Sequence, residues 1–457
     1  MDVDTLIAGA TIITMDGDRR VILDGALAIR GDRIVAVGKR EVVEREVRAK
    51  TVIDGRRFIL TPGLINGHVH LTEALLKGYV PEDLPFDEGL MRWVIPLYEG
   101  QTPAEQAIGA RMTVLNMLRT GTTCFLEAGT IIAFDTVVEA IAGSGIRGIV
   151  GKWVQDTAFA PGDDQRALTD AALRELDDEM VRYPAGDDKL LSAWPILIGH
   201  NMNTDACWQG AKAIADTHGA GISAHMSPAA LDTAWFVANT GQRPIEHLGA
   251  LGVLGSNVNI VHMVHASDSE VAMLAETGTS VTHCPWAALK GGYGVTSVGR
   301  FPEMAAAGVN LMLGTDGADN SDMMRMIGTA AGLFKDARRD TGLFPAAAAI
   351  EMATVNGAKA LGMQDRIGSL EPGKKADIVM HDIDRPEWRP LSNPVNQFVW
   401  SADGRSVHSV WIDGRRVVDN YRCMTIDEEW LYADAQVAAE ALITRSGLPA
   451  LSAWPVG

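Results

Sequence analysis

Cysteine is scarce in this sequence, with only 4 in 457 residues. The four lie far apart and show no paired spacing, so neither a disulfide framework nor a cysteine zinc cluster is expected. A chain that does without disulfides fits the reducing environment of the cytoplasm. The cysteines are Cys124, Cys207, Cys284 and Cys423.

Positive charge is also sparse, because 40 Lys and Arg stand against 58 Asp and Glu and leave a formal net charge of −18. A surface of this sign repels nucleic acid and anionic membranes. Long apolar runs are missing too: none reaches membrane-spanning length, and Asp2 and Asp4 stand where a signal peptide would carry basic residues. We therefore expect a small-molecule partner, and no nucleic-acid or membrane partner.

The composition, 47% hydrophobic and 21% charged, is that of a globular protein with a large core. Residues 1–57 consist of short β-runs separated by Gly-Asp turns, and this pattern returns only in residues 368–425. We expect these two ends of the chain to pair as one small β-sandwich domain. Residues 426–457 have helical composition and are expected to form a C-terminal helix and tail.

Residues 58–367 alternate apolar runs with Ala-, Met- and Glu-rich helical stretches, which is typical of βα units around a parallel sheet. Eight such runs occur, and eight is the number that closes a barrel. The predicted fold class is therefore α/β, a (β/α)8 TIM-type barrel with its chemistry at the C-terminal ends of the strands. The runs begin at LTPGLINGHVH, TGTTCFLEAG, IRGIVGKWVQ, LLSAWPILIGH, AGISAHMS, VNIVHMVH, TSVTHCP and VNLMLGTDG.

Imidazole and carboxylate side chains stand at or near the ends of these runs. His68 and His70 close the first run, where the period of two along a strand puts both on the same side. Taken alone, this pair could equally be two hydrogen-bonded structural histidines. However, His225 in the fifth run, His262 in the sixth and Asp316 after the eighth converge on the same barrel mouth, which favours a metal site. Nitrogen and oxygen ligands without thiolates suit Zn, Fe, Mn or Co and leave a position for catalytic water.

In chain order, TPGLINGHVH, AHMS, VHMVH, ETGTSVTHCP, LGTDG and SLEPGKKADIVMHD resemble the metal-dependent amidohydrolase superfamily over nearly the whole sequence. The resemblance implies that His68, His70, His225 and Asp316 bind the metal. It also implies that His262 helps to bind the metal or steadies the carbonyl oxygen of the substrate. Within the superfamily the chain is similar to the deaminase and triazine hydrolase branch, and more narrowly to the bacterial phenylurea and molinate hydrolases. Such relatives make a homo-oligomer the expectation.

The sequence departs from this branch beside the strand-five histidine. Deaminases of the branch carry a glutamate three residues after that histidine, where it protonates the ring nitrogen of the substrate. The residue three after His225 is Pro228. The usual proton donor for ring chemistry is therefore missing from its place.

Apolar residues also replace polar ones near the expected site. Where purine and pterin deaminases show Ser and Asn after the strand-seven His-Cys-Pro, this chain has Trp286 followed by two alanines. Together with Trp93, Trp153 and Met226 near predicted strand ends or loops, this indicates a pocket for an aromatic or alkyl group. Each of these large residues could instead be ordinary core or rim packing.

Binuclear members of the superfamily bridge two ions with a carboxylated lysine, commonly at the end of strand four. The fourth run closes in Ile198-Gly199-His200-Asn201, without a lysine, and Lys152 lies on the third run instead. We therefore expect one divalent ion per chain, with zinc first and Fe, Co or Mn as alternatives. His200 and Asn203 could orient substrate or water, although a histidine at the start of a loop is as often hydrogen-bonded to the backbone.

These parts predict cleavage of an acyl C–N bond by metal-activated water, because a bound divalent ion lowers the pKa of water towards ~7. Asp316 is placed to accept the water proton and pass it to the departing amine, and His262 to hold the oxyanion. Without a glutamate for ring protonation, we expect an N-aryl urea of the phenylurea herbicide type, or a related carbamate or thiocarbamate. The alternatives are a triazine chlorohydrolase or aminohydrolase, a heterocycle deaminase, and a barrel binding protein without catalysis.

Overall fold

The computed structural model describes residues 1–129, 132–317, 319–449 and 454. Within this part of the chain, the two ends meet in a nine-stranded sheet that runs β19-β18-β17-β16-β5-β1-β2-β3, with β4 paired to β1. The join is antiparallel between β5 and β16, where Leu60 faces Met380. The strands are β1 Asp2–Ile13, β2 Val21–Arg30, β3 Arg33–Lys39, β4 Arg48–Asp54, β5 Phe58–Pro62, β16 Ile378–Asp382, β17 Val407–Ile412, β18 Arg415–Asp419 and β19 Arg422–Cys423.

The pairing of the two chain ends agrees with the predicted terminal domain. The structure also places Phe58–Pro62 in this sheet, so the chain leaves it slightly later than residue 57. The predicted C-terminal segment contains a helix at Glu428–Ser446, whereas residues 450–453 and 455–457 of that segment lie outside the described residues. The domain boundaries themselves stay a prediction.

A barrel of eight parallel strand positions lies between the two ends, within the described residues. Positions three and four are each interrupted, so that β8 and β9 share one position and β10 and β11 the next. The ring closes where the chain after β15 returns to β6, because the backbone nitrogens of Thr315 and Asp316 donate to the carbonyl oxygen of His68 at 3.0 and 2.9 Å. The strands are β6 Leu64–Val69, β7 Thr122–Glu127, β8 Arg147–Val150, β9 Trp153–Val154, β10 Leu191–Ala193, β11 Ile196–Gly199, β12 Ile222–Met226, β13 Val258–His262, β14 Ser280–His283 and β15 Leu311–Leu313.

This architecture confirms the (β/α)8 prediction, and the physical reason lies in the burial of the strands. All residues of β6, β7, β12 and β13 are buried, because one face of each strand fills the barrel interior and the other packs under helices. The continuous apolar runs of the sequence are the consequence. Polar residues at the strand ends are thereby concentrated at one mouth.

Helices surround the barrel and begin at recognisable signals. Thr102 and Glu105 form a reciprocal capping box at the start of α4, and Ser267 and Glu270 form another at the start of α10. The helices are α1 Arg40–Glu46, α2 Phe86–Gly89, α3 Ile95–Glu99, α4 Pro103–Arg119, α5 Phe134–Ala142, α6 Gln165–Arg182, α7 Asp205–Thr217, α8 Ala230–Thr240, α9 Pro244–Ala250, α10 Asp268–Thr277, α11 Pro285–Lys290, α12 Val295–Val298, α13 Phe301–Ala306, α14 Met323–Arg338, α15 Ala346–Met352, α16 Val355–Ala360, α17 Pro394–Trp400 and α18 Glu428–Ser446. Shorter helical turns occupy Leu71–Leu76, Leu90–Val94 and Gly404–Ser406.

A buried ion pair joins the barrel to the terminal sheet. Arg147 of β8 is 1% exposed, and its Nε and one Nη contact the carboxylate of Asp377 at 3.0 and 3.2 Å. The same guanidinium also bonds Asp413. Within the described residues, no helix is both long enough and apolar enough to cross a bilayer.

Candidate metal centre and cavity

Five side chains meet at the C-terminal mouth of the barrel, and they are the five that the sequence singles out. Nε2 of His70 lies 3.0 Å from Oδ1 of Asp316, Nε2 of His68 lies 3.4 Å from the same oxygen, and Nε2 of His262 lies 3.8 Å from Oδ2. Ligand atoms of His68, His70 and His225 all lie within 4.8 Å of one another, and so do those of His68, His262 and Asp316. The five groups thus surround one point.

The backbone is strained where it presents these groups. Asp316 has φ +64° and His262 has φ +78°, the left-handed region that residues with a Cβ seldom adopt. His200, directly after β11, and Ser227, directly after β12, have φ +52° and +54°. Such strain costs about 1–3 kcal/mol per residue and persists where the surroundings over-determine it, commonly at functional sites.

Burial keeps most of the imidazoles neutral, whereas the surrounding histidines keep the Asp316 carboxylate ionised. Burial and the neighbouring imidazoles hold the pKa of His225 well below its ordinary value, and burial, opposed by Asp316, lowers the pKa of His262 to about 3. Burial alone would raise the pKa of Asp316, but the histidines around it hold that pKa well below its usual range. Burial alone would lower the pKa of His70, but Glu73 and Asp316 raise it to about 9. These groups would offer a divalent ion nitrogen donors at the histidines and an anionic oxygen at Asp316, and His70 would bind it through Nε2 only after losing a proton.

The donor set fits a divalent metal ion. Both ring nitrogens of His68 are buried without a hydrogen-bond partner among the described residues, although the carboxylate of Asp316 is only 3.4 Å away. A cation that both groups ligate explains this arrangement better than a missing hydrogen bond. His225 is already oriented for such a role, since its Nδ1 donates to the carbonyl oxygen of Ile198 at 3.0 Å and leaves Nε2 free.

The cluster forms the floor of a cavity of about 510 Å³ whose walls are largely apolar. One wall is residues 80–99, which we call the wall segment. Trp153, Trp286 and His200, three of the six residues predicted to contact substrate, line this cavity. Further lining residues include Ile198, Met202, Ala287 and Tyr293.

Trp93, Met226 and Asn203, also predicted to contact substrate, do not line the cavity. Trp93 is 5% exposed and packs edge-on against Tyr79. Met226 follows His225 on β12 and so points to the opposite face of the strand, into the core. Asn203 bonds the backbone of two neighbouring strands, donating to the carbonyl oxygen of Val154 on β9 and accepting the N–H of Gly199 at the end of β11.

An amidohydrolase sequence model, described as "Amidohydrolase family", matches residues 59–417. This chain belongs to the amidohydrolase family. The match spans the barrel and the strands β5, β16 and β17 of the terminal sheet, so the assignment covers the cavity and every candidate ligand. The protein is a metal-dependent hydrolase acting on C–N bonds.

Deaminases are prominent among the relatives of this amidohydrolase. It is 31% identical to a 5-methylthioadenosine/S-adenosylhomocysteine deaminase of Pelotomaculum thermopropionicum, over 96% of this chain and 99% of the relative. It is 32% identical to a 5'-deoxyadenosine deaminase of Methanosarcina mazei, over 97% and 99% of the two chains. An adenosine deaminase of Xanthomonas campestris with bound zinc superposes with a TM-score of 0.88 at 30% identity, over 97% and 99% of the two chains.

A solved atrazine chlorohydrolase of Arthrobacter aurescens, complexed with zinc, shares the fold with a TM-score of 0.84 at 24% identity, over 95% and 100% of the two chains. These neighbours agree with the predicted deaminase and triazine hydrolase branch. They do not support the narrower resemblance to phenylurea and molinate hydrolases.

Lys152 of this amidohydrolase does not approach the metal ligands through its amine. Its Nζ pairs with Glu175 at the cavity rim, where both side chains are about one-third exposed (30% and 39%). The strand-four end carries His200 instead of a lysine. The expectation of one ion per chain stays a prediction.

Sequence reasoning missed two acidic residues that support the histidines of the cavity. Asp232, at the start of α8, accepts from Nδ1 of His200 at 2.6 Å and from the backbone N–H of Ser227 at 2.6 Å. Glu73, three residues after His70, accepts the hydroxyl of Tyr98. The spacing of three on a helical turn was the available signal for Glu73, because such residues share a face.

Proposed function

We propose that this amidohydrolase removes an exocyclic amine from a heteroaromatic ring that carries an apolar substituent, releasing ammonia. The observation that carries the proposal is the combination at one site of a metal-ligating cluster, an apolar cavity of about 510 Å³, and a histidine–aspartate pair that could supply a proton. The relatives support it, since they are named for 5-methylthioadenosine and 5'-deoxyadenosine. In both compounds the sugar's 5' position bears an apolar group, which suits these walls.

The ligand set in this proposal is His68, His70, His225 and Asp316, with zinc as the first choice of metal. When bound, the ion lowers the pKa of its water to about 7 and so supplies hydroxide at neutral pH. Asp316 is the acceptor for the water proton, because its carboxylate is ionised and lies at the centre of the cluster. His262 borders the same point and faces the substrate side of the cavity.

Deamination of a ring also needs an acid for the ring nitrogen beside the attacked carbon. Pro228 stands where the branch has its glutamate, and it lines the cavity without offering a proton. His200 lines the same cavity, and its ring stacks on that of His225 with centroids 5.8 Å apart. Because Nδ1 bonds Asp232, Nε2 is the nitrogen available to a substrate. We assign the proton donor's role to His200, oriented by Asp232.

A second candidate is hydrolysis of an N-aryl urea or carbamate. Its support is Pro228 itself, together with the apolar Trp286 and Ala287 on the cavity wall. Hydrolysis at a carbonyl group does not require protonation of a ring nitrogen. This reaction therefore depends less on the glutamate that Pro228 replaces. The two candidates differ in the product amine, which makes them easy to separate.

The test is turnover of purified, zinc-loaded enzyme on a matched panel. The panel contains 5'-methylthioadenosine, 5'-deoxyadenosine and adenosine, then N-aryl ureas and carbamates, and finally a chlorotriazine. Ammonia, aniline and chloride are measured separately. We expect ammonia from the first group, with the 5'-apolar nucleosides preferred over adenosine. Release of aniline with the nucleosides untouched would replace the first candidate by the second, and chloride release alone would contradict both.

A further inference from the structure

The hydroxyl of Tyr98 lies between a carboxylate and a candidate metal ligand. It donates to Oε1 of Glu73 and lies 3.4 Å from Nδ1 of His70, while Oε1 of Glu73 is 3.6 Å from the same nitrogen. We propose that Glu73 and Tyr98 are positioning residues that hold His70 in the tautomer a metal requires, with the proton on Nδ1. The proposal rests on His70 being a metal ligand, as assigned above.

A tyrosine hydroxyl has one hydrogen, and here the Glu73 carboxylate takes it. The hydroxyl oxygen can then only accept from His70, so Nδ1 must carry its hydrogen. Nε2, which lies 3.0 Å from the Asp316 carboxylate at the centre of the cluster, is then the nitrogen that gives up its proton and offers a lone pair when a metal binds. The order of donation is His70 to Tyr98 to Glu73.

His225 shows the same orientation achieved in a simpler way. Its Nδ1 donates to the carbonyl oxygen of Ile198, an acceptor that cannot turn into a donor. A tyrosine hydroxyl can either accept or donate a hydrogen bond. Without Glu73 as its acceptor, the Tyr98 hydroxyl could therefore donate to Nδ1 of His70. That would favour the tautomer with hydrogen on Nε2, in which Nε2 has no lone pair for the metal. Glu73 is therefore needed because Tyr98 is present.

The pair also connects the metal site to the cavity wall. Tyr98 lies on α3, near the end of the wall segment. Its ring packs edge-on against that of Trp153, with centroids 6.4 Å apart. Glu73 belongs to the helical turn Leu71–Leu76, directly after His70. Both residues are thus held by elements that the fold places independently of the ion.

The experiment measures zinc affinity by competition with a chelator, together with the visible spectrum of the cobalt-substituted enzyme. Glu73→Leu should weaken zinc binding 10- to 100-fold, the usual effect of losing such a partner. Tyr98→Phe should change it only a few-fold, because Nδ1 then faces Glu73. The double variant should bind zinc more tightly than Glu73→Leu alone. Glu73→Gln, whose amide oxygen still accepts from Tyr98, should stay near wild type.

Asp83→Leu, an exposed acidic residue on the wall segment, is the matched control and should leave zinc affinity unchanged. If Glu73→Leu does not fold, judged by circular dichroism, Glu73→Ala with and without Tyr98→Phe makes the same comparison. A double variant as weak as or weaker than the Glu73 single variant overturns the inference. His70→Ala in the same titration separates the failures: unchanged zinc binding there would instead remove His70 from the ligand set.

Discussion

Nδ1 of His200 lies 2.6 Å from Oδ2 of Asp232, and the same oxygen accepts the backbone N–H of Ser227 at 2.6 Å. Asp232 therefore ties the end of strand four to the turn that follows His225 on strand five. Pro228, which stands where the branch has its glutamate, has no side-chain proton to offer. Asp232 instead orients His200, which lines the same cavity as Pro228. A general acid placed in this way contributes typically 10²–10⁴ in rate.

His200→Gln should lower kcat by about 10²–10⁴ if the imidazole delivers the proton. Asp232→Asn should lower it by a smaller factor, because the imidazole remains but is less well oriented. Zinc content should stay at the wild-type level in both, since neither residue belongs to the proposed ligand set. Asp177→Asn, which alters an exposed pair with His218 at 2.9 Å, is a matched control. Near-normal kcat in His200→Gln would exclude the assigned role.

His70→Ala or His225→Ala should abolish both stoichiometric metal and activity while the barrel stays folded. Metal ligands at a strand end add little to the core, and the terminal sheet and the helices are untouched. Zinc is measured by elemental analysis of gel-filtered protein, and folding by thermal melting. His218→Ala, a histidine outside the cluster, serves as the control. Retained zinc with near-normal turnover would refute the ligand assignment.

Fully loaded enzyme should contain one divalent ion per chain. Lys152 is engaged by Glu175, and strand four ends in His200, so the described residues offer no lysine bridge for a second ion. Lys152→Gln should therefore leave the metal content unchanged. Two tightly bound ions, with loss of one in Lys152→Gln, would show that a carboxylated lysine is present after all.

The barrel and its ligand cluster were accessible from the sequence because both depend on local patterns. Each strand is a buried run, and the ligands stand at or near the ends of those runs, where a barrel concentrates its chemistry. The alternation of side chains along a strand also predicts that Met226 does not line the cavity. If His225 faces the site, the next residue on the strand faces away. That step was available and was missed.

Two supporting residues, Asp232 and Tyr98, were not accessible in this way, because their partners are distant in the sequence. Asp232 acts on a histidine 32 positions earlier, and Tyr98 meets a ligand 28 positions earlier. No periodicity connects such positions. Trp93 illustrates the same limit for apolar residues, since only the packing of the wall segment decides that it contacts Tyr79 rather than substrate.

The last prediction concerns Glu179 on α6, which is 1% exposed and whose burial raises the pKa to about 7. One carboxylate oxygen accepts the backbone N–H of Lys152 at 3.1 Å, and the other has no partner among the described residues. Between an unfolded pKa of about 4.5 and this folded value, the folded protein holds a proton that the unfolded chain has lost. Stability must therefore fall as the pH rises through this window.

A pKa difference of one corresponds to about 1.4 kcal/mol, so the rise from 4.5 to about 7 means that ionising Glu179 in the folded protein costs at most about 3.5 kcal/mol. Glu179→Gln removes this titration and can still accept the Lys152 N–H. We expect the variant to equal wild type in urea unfolding at pH 4.5 and to exceed it progressively up to pH 8. Glu175→Gln, its partly exposed neighbour on α6, is the control and should show no comparable gain. Parallel stability curves for wild type and Glu179→Gln across this range would mean that Glu179 ionises in the folded protein as readily as in water.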